Sequence, residues 1–457
     1  MKGKIMKKIL IVTVGGSPQP IITSINTTRP GRVIFICSGG ANSSKPQVAG
    51  PIEAEKAEKC PNCKCPLKET AKPTSIVEKT GIAGIFDCER DIFIAEDPDD
   101  LASCYMASVR AIESAKQDCP GCEIYTDYTG GTKTMTGGLL LASIDCHVEP
   151  LVTSGPRDNL RQVTQGESTR KVSASSIRYR RMMDTTIPSL LQRFDYQAAG
   201  NEIRNIQVEI ALPPEETMAL SNVLAFCQCF EQWDQFDHNA SCRYLKRQAV
   251  NEEMLTYYLF CKKVQNCRKL IDLQYEPFES MGGHGYEIIQ DLLLNAERRA
   301  AQGRFDDAVG RIYRALELTA QIRLLSIFGI RTGDVDIEKL PEHLREYYEG
   351  KRNVIDKKIK LGLTESFALL AKFPDDDLGK LYNIAASDLM NSLHFRNDSI
   401  FAHGFKAIRE KEYGDFGKVV IPFIENCIKT AAGAKSCLQQ PGQFPQSFIE
   451  FVRPKTT

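Results

Sequence analysis

The sequence lacks any apolar run approaching the roughly 18 residues needed to cross a bilayer, which sets aside an integral membrane class. It also lacks net charge, since 58 Lys and Arg offset 58 Asp and Glu. A chain without excess cations does not coat long nucleic acid by bulk attraction, because that mode needs Lys and Arg to neutralise successive phosphates. Contact with RNA or a nucleotide must then be local. An export signal is missing too. Lys2, Lys4, Lys7 and Lys8 precede Ile9 to Val14 in superficial imitation of a signal peptide. The apolar stretch is too short, however, and runs into Gly15-Gly16-Ser17-Pro18 without a small-residue cleavage site, so it reads as a buried first strand. What the chain does have is length and an ordinary balance. Its 457 residues exclude a small stapled scaffold and suggest two or three domains, and 42% apolar against 25% charged residues exclude disorder. Cysteine is plentiful at 16. Without an export signal, reduced thiols or metal ligands are expected rather than disulfides, and the expected compartment is the cytoplasm.

Two halves differ in rhythm. Up to about residue 155, short β-branched apolar runs alternate with helix-length segments: Ile9 to Val14, Val33 to Cys37, Asp91 to Ala95, Glu123 to Tyr128 and Val148 to Thr153. Near-continuous apolar character and long connections predict a parallel, doubly wound α/β sheet covered on both faces. Ligands in such sheets collect at the carboxyl ends of strands. Three of these ends are rich in Gly and small polar residues: Gly15-Gly16-Ser17, Ser38-Gly39-Gly40 and Thr129-Gly130-Gly131-Thr132. Residues 156 to 180 read as a hairpin or linker. From about Thr186 the apolar period shifts to near 3.6, as at Ala308, Ile312, Ala315, Leu316 and Thr319, so the second half is expected to be mainly helical.

Three constellations could carry chemistry. The first is Asp127 to Met135. Here glycines let backbone amides approach a ligand, a helix N-terminus offers unpaired N–H donors and Lys133 adds a cation, which suits an anionic or nucleotide ligand. It is not a P-loop, because Thr132 stands where that motif requires Gly before the Lys. The alternative is a tight turn with a Thr cap. The second is Arg396-Asn397-Asp398-Ser399-Ile400-Phe401-Ala402-His403, followed by Gly404. If helical, seven residues bring Arg396 and His403 to one face about 10 Å apart. An imidazole that moves protons near neutral pH and a guanidinium that grips phosphate suit attack of a ribose 2′-hydroxyl on the adjacent phosphodiester, a reaction that needs no metal. The alternative is a helix C-terminus with His403 as a cap.

The third constellation is cysteine spacing. Cys60-Pro61-Asn62-Cys63 and Cys119-Pro120-Gly121-Cys122 could each present two thiolates, and together they would complete a four-sulfur structural zinc site once the polar insertion of about 41–80 folds back. Free reduced cysteines are the alternative, and no catalytic metal is expected. Among lesser features, Gly282-Gly283-His284-Gly285 reads as a connection. Trp233, with Phe230 and Phe236 near it, reads as core. Glu317 reads as a solvated residue or as an ion-pair partner of Arg396.

The segment Asp127 to Met135, with the Gly15-Gly16-Ser17 turn, resembles the CRISPR-associated Rossmann fold (CARF) sensor domain. The element from Arg396 to His403 resembles the ribonuclease motif of HEPN domains, with Asn397 at the polar position after the Arg, and Asp307 to Gln321 resembles the long helix that precedes it. The resemblance implies residues 1–175 as an α/β Rossmann-like CARF domain and residues 185–457 as a mainly α-helical HEPN domain. It further implies a homodimeric type III CRISPR ancillary endoribonuclease, activated by cyclic oligoadenylate and acting on single-stranded RNA. The resemblance makes Arg396 and His403 catalytic, with Asn397 supporting. Thr129, Gly130, Gly131, Thr132 and Lys133 would line the activator pocket, and Gly15, Gly16, Ser17, Ser38 and Gly39 would add contacts. The cysteine insertion departs from that pattern. The competing expectation is a nucleotide-sensing regulatory protein whose HEPN half serves only for dimerisation.

Overall fold

The computed structural model describes residues 8–40, 42–50, 74–155, 157–158, 162–163, 167–248, 252–397, 404–433 and 442–448. The chain divides into two compact units, Met1–Arg180 and Arg181–Thr457. In the first unit the strands are β1 (Lys8–Thr13), β2 (Arg32–Ser38), β3 (Ile92–Ala95), β4 (Glu123–Asp127), β5 (Glu149–Ser154), the two-residue pair β6 (Arg157–Asp158) and β7 (Gln162–Val163), and β8 (Ser168–Lys171). Its helices are α1 (Gln19–Thr28), α2 (Lys45–Ala49), α3 (Ile76–Thr80), α4 (Leu101–Asp118) and α5 (Lys133–Asp145), with α6 (Ser175–Arg181) at its end.

The five strands expected from the sequence all form, with ends shifted by about one residue, because β-branched side chains alternate between two buried faces. Leu10, Val12, Val33 and Phe35 pack under α1 and α3, whereas Ile9, Ile11, Ile34 and Ile36 pack under α4 and α5. The sheet order is β3-β2-β1-β4-β5-β8. β1 to β5 pair in parallel, but β8 is antiparallel to β5, with Leu151 opposite Lys171. The five expected strands thus form the expected parallel sheet, and β8, from the segment read as a hairpin or linker, adds an antiparallel edge that makes the sheet mixed. The return from β5 carries the short antiparallel pair β6–β7, and β8 runs back along β5 antiparallel. The order also contains information absent from the sequence pattern. The chain builds β1, β2 and β3 in one direction and then crosses back to place β4 on the other side of β1, so the topological switch point lies between β1 and β4.

The second unit is helical: α7 (Ile187–Leu191), α8 (Tyr196–Glu209), α9 (Pro214–Asp234), α10 (His238–Gln248), α11 (Glu252–Ile271), α12 (Glu287–Ala301), α13 (Phe305–Phe328), α14 (Glu342–Glu349), α15 (Leu363–Leu370), α16 (Asp377–Asn397) and α17 (Glu410–Ala432). Trp233 and Phe230 are core as expected, stacked among Tyr257, Phe260 and Phe444, with the indole N–H donating to Asp291 at 3.0 Å. Among the described residues no helix is long and apolar enough to cross a membrane.

The Gly282–Gly285 connection is clamped rather than loose. Glu287, 2% exposed, accepts from the backbone N–H of His284 at 2.7 Å and of Gly285 at 2.9 Å, and from the Cys267 thiol at 3.0 Å. Burial pushes the Glu287 carboxyl up, but the Cys267 thiol, His284 and the backbone donors outweigh it and leave it below its ordinary value. A carboxyl depressed on folding stabilises the folded state above its unfolded pKa, and that contribution disappears as pH falls through the folded value. Glu287→Gln is therefore expected to cost about 1.5–3 kcal/mol at pH 7, the worth of hydrogen bonds to a charged group. Thermal melts should show the gap from the parent closing as pH drops below the carboxylate range. A gap that stays constant down to acid pH would refute the clamp.

Candidate functional site

In the first unit the glycine-rich loops converge at the carboxyl ends of β1, β2 and β4, two of them flanking the switch point. The Thr13 hydroxyl donates to the carbonyl of Gly130, tying the end of β1 to the loop after β4. This approach explains the glycines. A Cβ on Gly130 would stand 2.4 Å from the Thr13 carbonyl oxygen, and one on Gly15 would stand 2.5 Å from the Gly131 nitrogen. Only hydrogen fits at either place. Gly16 and Ser17 are exposed and Gly39 half-buried at the rim, while Ser38 is buried. Ser38 is spent on the loop after β2: its hydroxyl accepts from Ser44 N–H at 2.9 Å, and Ser44 Oγ accepts from Ser38 N–H at 3.0 Å.

The loop after β4 is built on Asp127, which is 3% exposed. Its carboxylate accepts from the backbone N–H of Thr129 at 2.9 Å, from the Thr129 hydroxyl, and from the Thr153 hydroxyl at 2.8 Å. Thr129 Oγ1 in turn accepts from Thr153 N–H at 2.7 Å. Thr132 caps α5 by accepting from Met135 N–H at 3.1 Å, and its hydroxyl donates to the Pro98 carbonyl at 2.7 Å. The turn is thus a strand-to-helix turn capped by Thr132, as the second reading expects, and its rim is open. The hydroxyls of Thr129 and Thr132 already hold the loop together, so a ligand would meet backbone amides and Lys133. Lys133 is exposed in the first turn of α5 and makes no ion pair among the described residues. Burial pushes the Tyr128 hydroxyl up, which keeps it a neutral donor beside the loop. Thr13, Asp127 and Thr153 are supporting residues that the motif reading did not single out. Asp127 stood inside the motif, but nothing in the sequence places Thr13 or Thr153 beside it.

In the second unit, α16 carries Arg396 and Asn397 at its C-terminal end. Their side chains, and residues 398–403 with His403, lie outside the described residues. The near end of α16 is fixed firmly. Asp376, whose side chain is fully buried, accepts from Gly379 N–H at 2.9 Å as an N-cap and from Arg323 Nε of α13 at 2.6 Å. α16 packs against α15 and α17, and α13 against α12, α15 and α17. The long helix expected around Asp307 to Gln321 is α13, although α14 and α15 stand between it and α16. Glu317 is ion-paired with Arg314 on its own helix. Removing one partner of a buried pair leaves an uncompensated charge, so Asp376→Ala should cost about 3–5 kcal/mol. Urea melts would register it, and an unchanged midpoint would show that the pair does not set the helix.

The cysteines need a correction. Cys119 and Cys122 are joined to each other as a disulfide, with Cα atoms 5.6 Å apart. That removes both sulfurs from the expected four-thiolate zinc set, since a disulfide is not a thiolate ligand; Cys60 and Cys63 lie outside the described residues. A turn of this spacing brings two sulfurs as readily to each other as to a metal. Among the described residues no group of three or more His, Cys, Asp or Glu could hold a metal ion. The remaining described cysteines are free thiols, eight of them buried. Burial pushes Cys37 and Cys427 up to about 12, so both are inert.

The architecture is thus a six-stranded α/β unit with glycine-rich loops at its switch point, followed by a helical unit. Residues 281–426 match the family model described as the Csm6 HEPN domain. Among solved structures, the fold is similar to that of Enterococcus italicus Csm6 bound to cyclic hexa-2′-fluoro-hexa-dAMP. The TM-score is 0.51 and the identity 13%, over 93% of this chain and 94% of that one. A search of curated proteins finds no sequence match. Helices α7 to α11 precede the HEPN match.

Proposed function

We propose that this protein is an endoribonuclease acting on single-stranded RNA, switched on by a cyclic oligoadenylate held at the glycine loops of its first unit. The observation that carries this reading is the match of residues 281–426 to the Csm6 HEPN domain, because that span contains the Arg396-Asn397 to His403 element. The bound cyclic oligonucleotide in the similar E. italicus structure, together with backbone amides and Lys133 at the switch-point rim, supports the activator. A ring of phosphates with two-fold symmetry is matched by an isologous homodimer that offers the same loop twice. The HEPN groove likewise draws an Arg and a His from each chain.

In that groove the ribose 2′-oxygen attacks the adjacent phosphorus as its proton is taken up. The 5′-oxygen leaves with a proton supplied in return, and a 2′,3′-cyclic phosphate remains. His403 moves the protons, Arg396 stabilises the charge growing on the phosphoryl oxygens, and Asn397 supports the geometry. No step requires a metal ion. The ligand favours the dimer state whose groove is competent, so activation is a shift in populations. The test is to incubate the full chain and a labelled RNA with cyclic oligoadenylates of graded ring size, in the presence of a chelator. Cleavage that depends on one ring size supports the reading. Tight ring binding with RNA left intact would instead favour a nucleotide-sensing protein with a non-catalytic HEPN half.

A further inference from the structure

We propose that Cys119 and Cys122 form a reversible thiol–disulfide couple, a modification site open to small thiols and disulfides at the end of β4 opposite the glycine loops. Among the described residues these are the two sulfurs bonded to each other. They sit half-buried on either side of an exposed Pro120-Gly121 tip, where Gly121 at φ +84° supplies the left-handed step that closes the turn. Open space adjoins both cysteines. One surface depression of about 550 Å³, bordered by Lys116, His147 and Lys171, is lined by both cysteines, and a second of about 420 Å³, bordered by Arg32 and Arg90, is lined by both as well. An attacking thiolate must reach a sulfur in line with the bond it breaks. These depressions provide the approach. Buried thiols such as Cys229 and Cys261 have no such access.

The turn does not depend on the bond. Cys119 N–H donates to the Ala115 carbonyl at 3.2 Å, and Cys122 N–H to the Cys119 carbonyl at 3.1 Å, so the backbone stays closed whether or not the sulfurs are joined. A disulfide across a three-residue separation also restrains the unfolded chain only slightly. Both oxidation states are therefore folded, which is what a reversible couple requires. The oxidant is a small disulfide of the glutathione type. One protein thiolate attacks it to form a mixed disulfide and releases one small thiolate, which takes up a proton. The second protein sulfur then attacks the first, closing Cys119–Cys122 and releasing the other small thiol. Two electrons and two protons pass to the small disulfide.

The test uses the full chain equilibrated in glutathione buffers of graded ratio, quenched with acid and alkylated. Trypsin cuts after Lys116 and Lys133 and isolates both cysteines on one peptide free of other cysteines. Mass spectrometry should show that peptide passing from no alkyl groups to two in a single two-electron transition. Cys122→Ser should stop at a glutathione adduct on Cys119, and the reciprocal Cys119→Ser serves if that variant fails to fold. Two alkyl groups at every ratio would overturn the proposal. So would zinc found by elemental analysis in the parent and lost in Cys122→Ser, which would make the pair half of a metal site.

Discussion

His403→Ala should lower RNA cleavage at saturating cyclic oligoadenylate by about 10²–10⁴-fold, the range contributed by one well-placed acid–base group. Activator affinity should stay at the parent value, because the change lies in the HEPN span and not at the glycine loops. A discontinuous assay with end-labelled RNA measures the first quantity and calorimetry the second. Unaltered cleavage would remove His403 from the chemistry and leave the HEPN match as a sign of architecture alone. The control is Asp376→Ala, which acts on the start of α16, the helix that carries Arg396 at its other end. It should lose stability first and activity only as a consequence, whereas His403→Ala should lose activity with its melt unmoved.

The second large effect is expected at Lys133. Its ammonium is exposed in the first turn of α5 beside an open loop of backbone amides. A hydrogen bond to a charged group is worth about 1.5–3 kcal/mol, so Lys133→Ala should weaken cyclic oligoadenylate binding by about 10- to 100-fold for each such bond to the ring. In a homodimer the variant removes the cation twice, and the weakening compounds. The melt of the helical unit should not move. Parent-like affinity in calorimetry would withdraw the sensor assignment. Thr129 and Thr132 form the useful contrast, since their hydroxyls are bonded to Asp127, Thr153, Met135 and Pro98. Changes there should disturb the loop rather than delete a group that meets the ligand.

Much of the first unit was legible in the chain. Ile9 to Val14, Val33 to Cys37 and Glu123 to Tyr128 announced strands because residues buried on both faces must be apolar throughout. The glycines after them were legible as loops. Their reason was not: Gly130 and Gly15 are glycines because backbones from β1 and β4 meet there, and strands more than a hundred residues apart carry no mark of that meeting. The sequence suggests Ser38 and Thr132 as ligand contacts, and the structure uses their hydroxyls to hold loops. The pairing of Cys119 with Cys122 is not legible for a similar reason. A CPGC spacing is equally compatible with a metal and with a mutual bond, and the sequence does not choose between them.

The sequence by itself determined the division into an α/β half and a helical half, because the apolar period changes from runs of strand length to 3.6 and each period buries only one kind of element. It also set out the Arg396-Asn397 to His403 element in order along the chain. Only the tertiary structure decided where β4 enters the sheet, which loops therefore face one another, and which polar side chains are consumed in holding them. Those outcomes depend on hydrogen bonds and close approaches between distant segments, and these exist only after the chain has closed on itself.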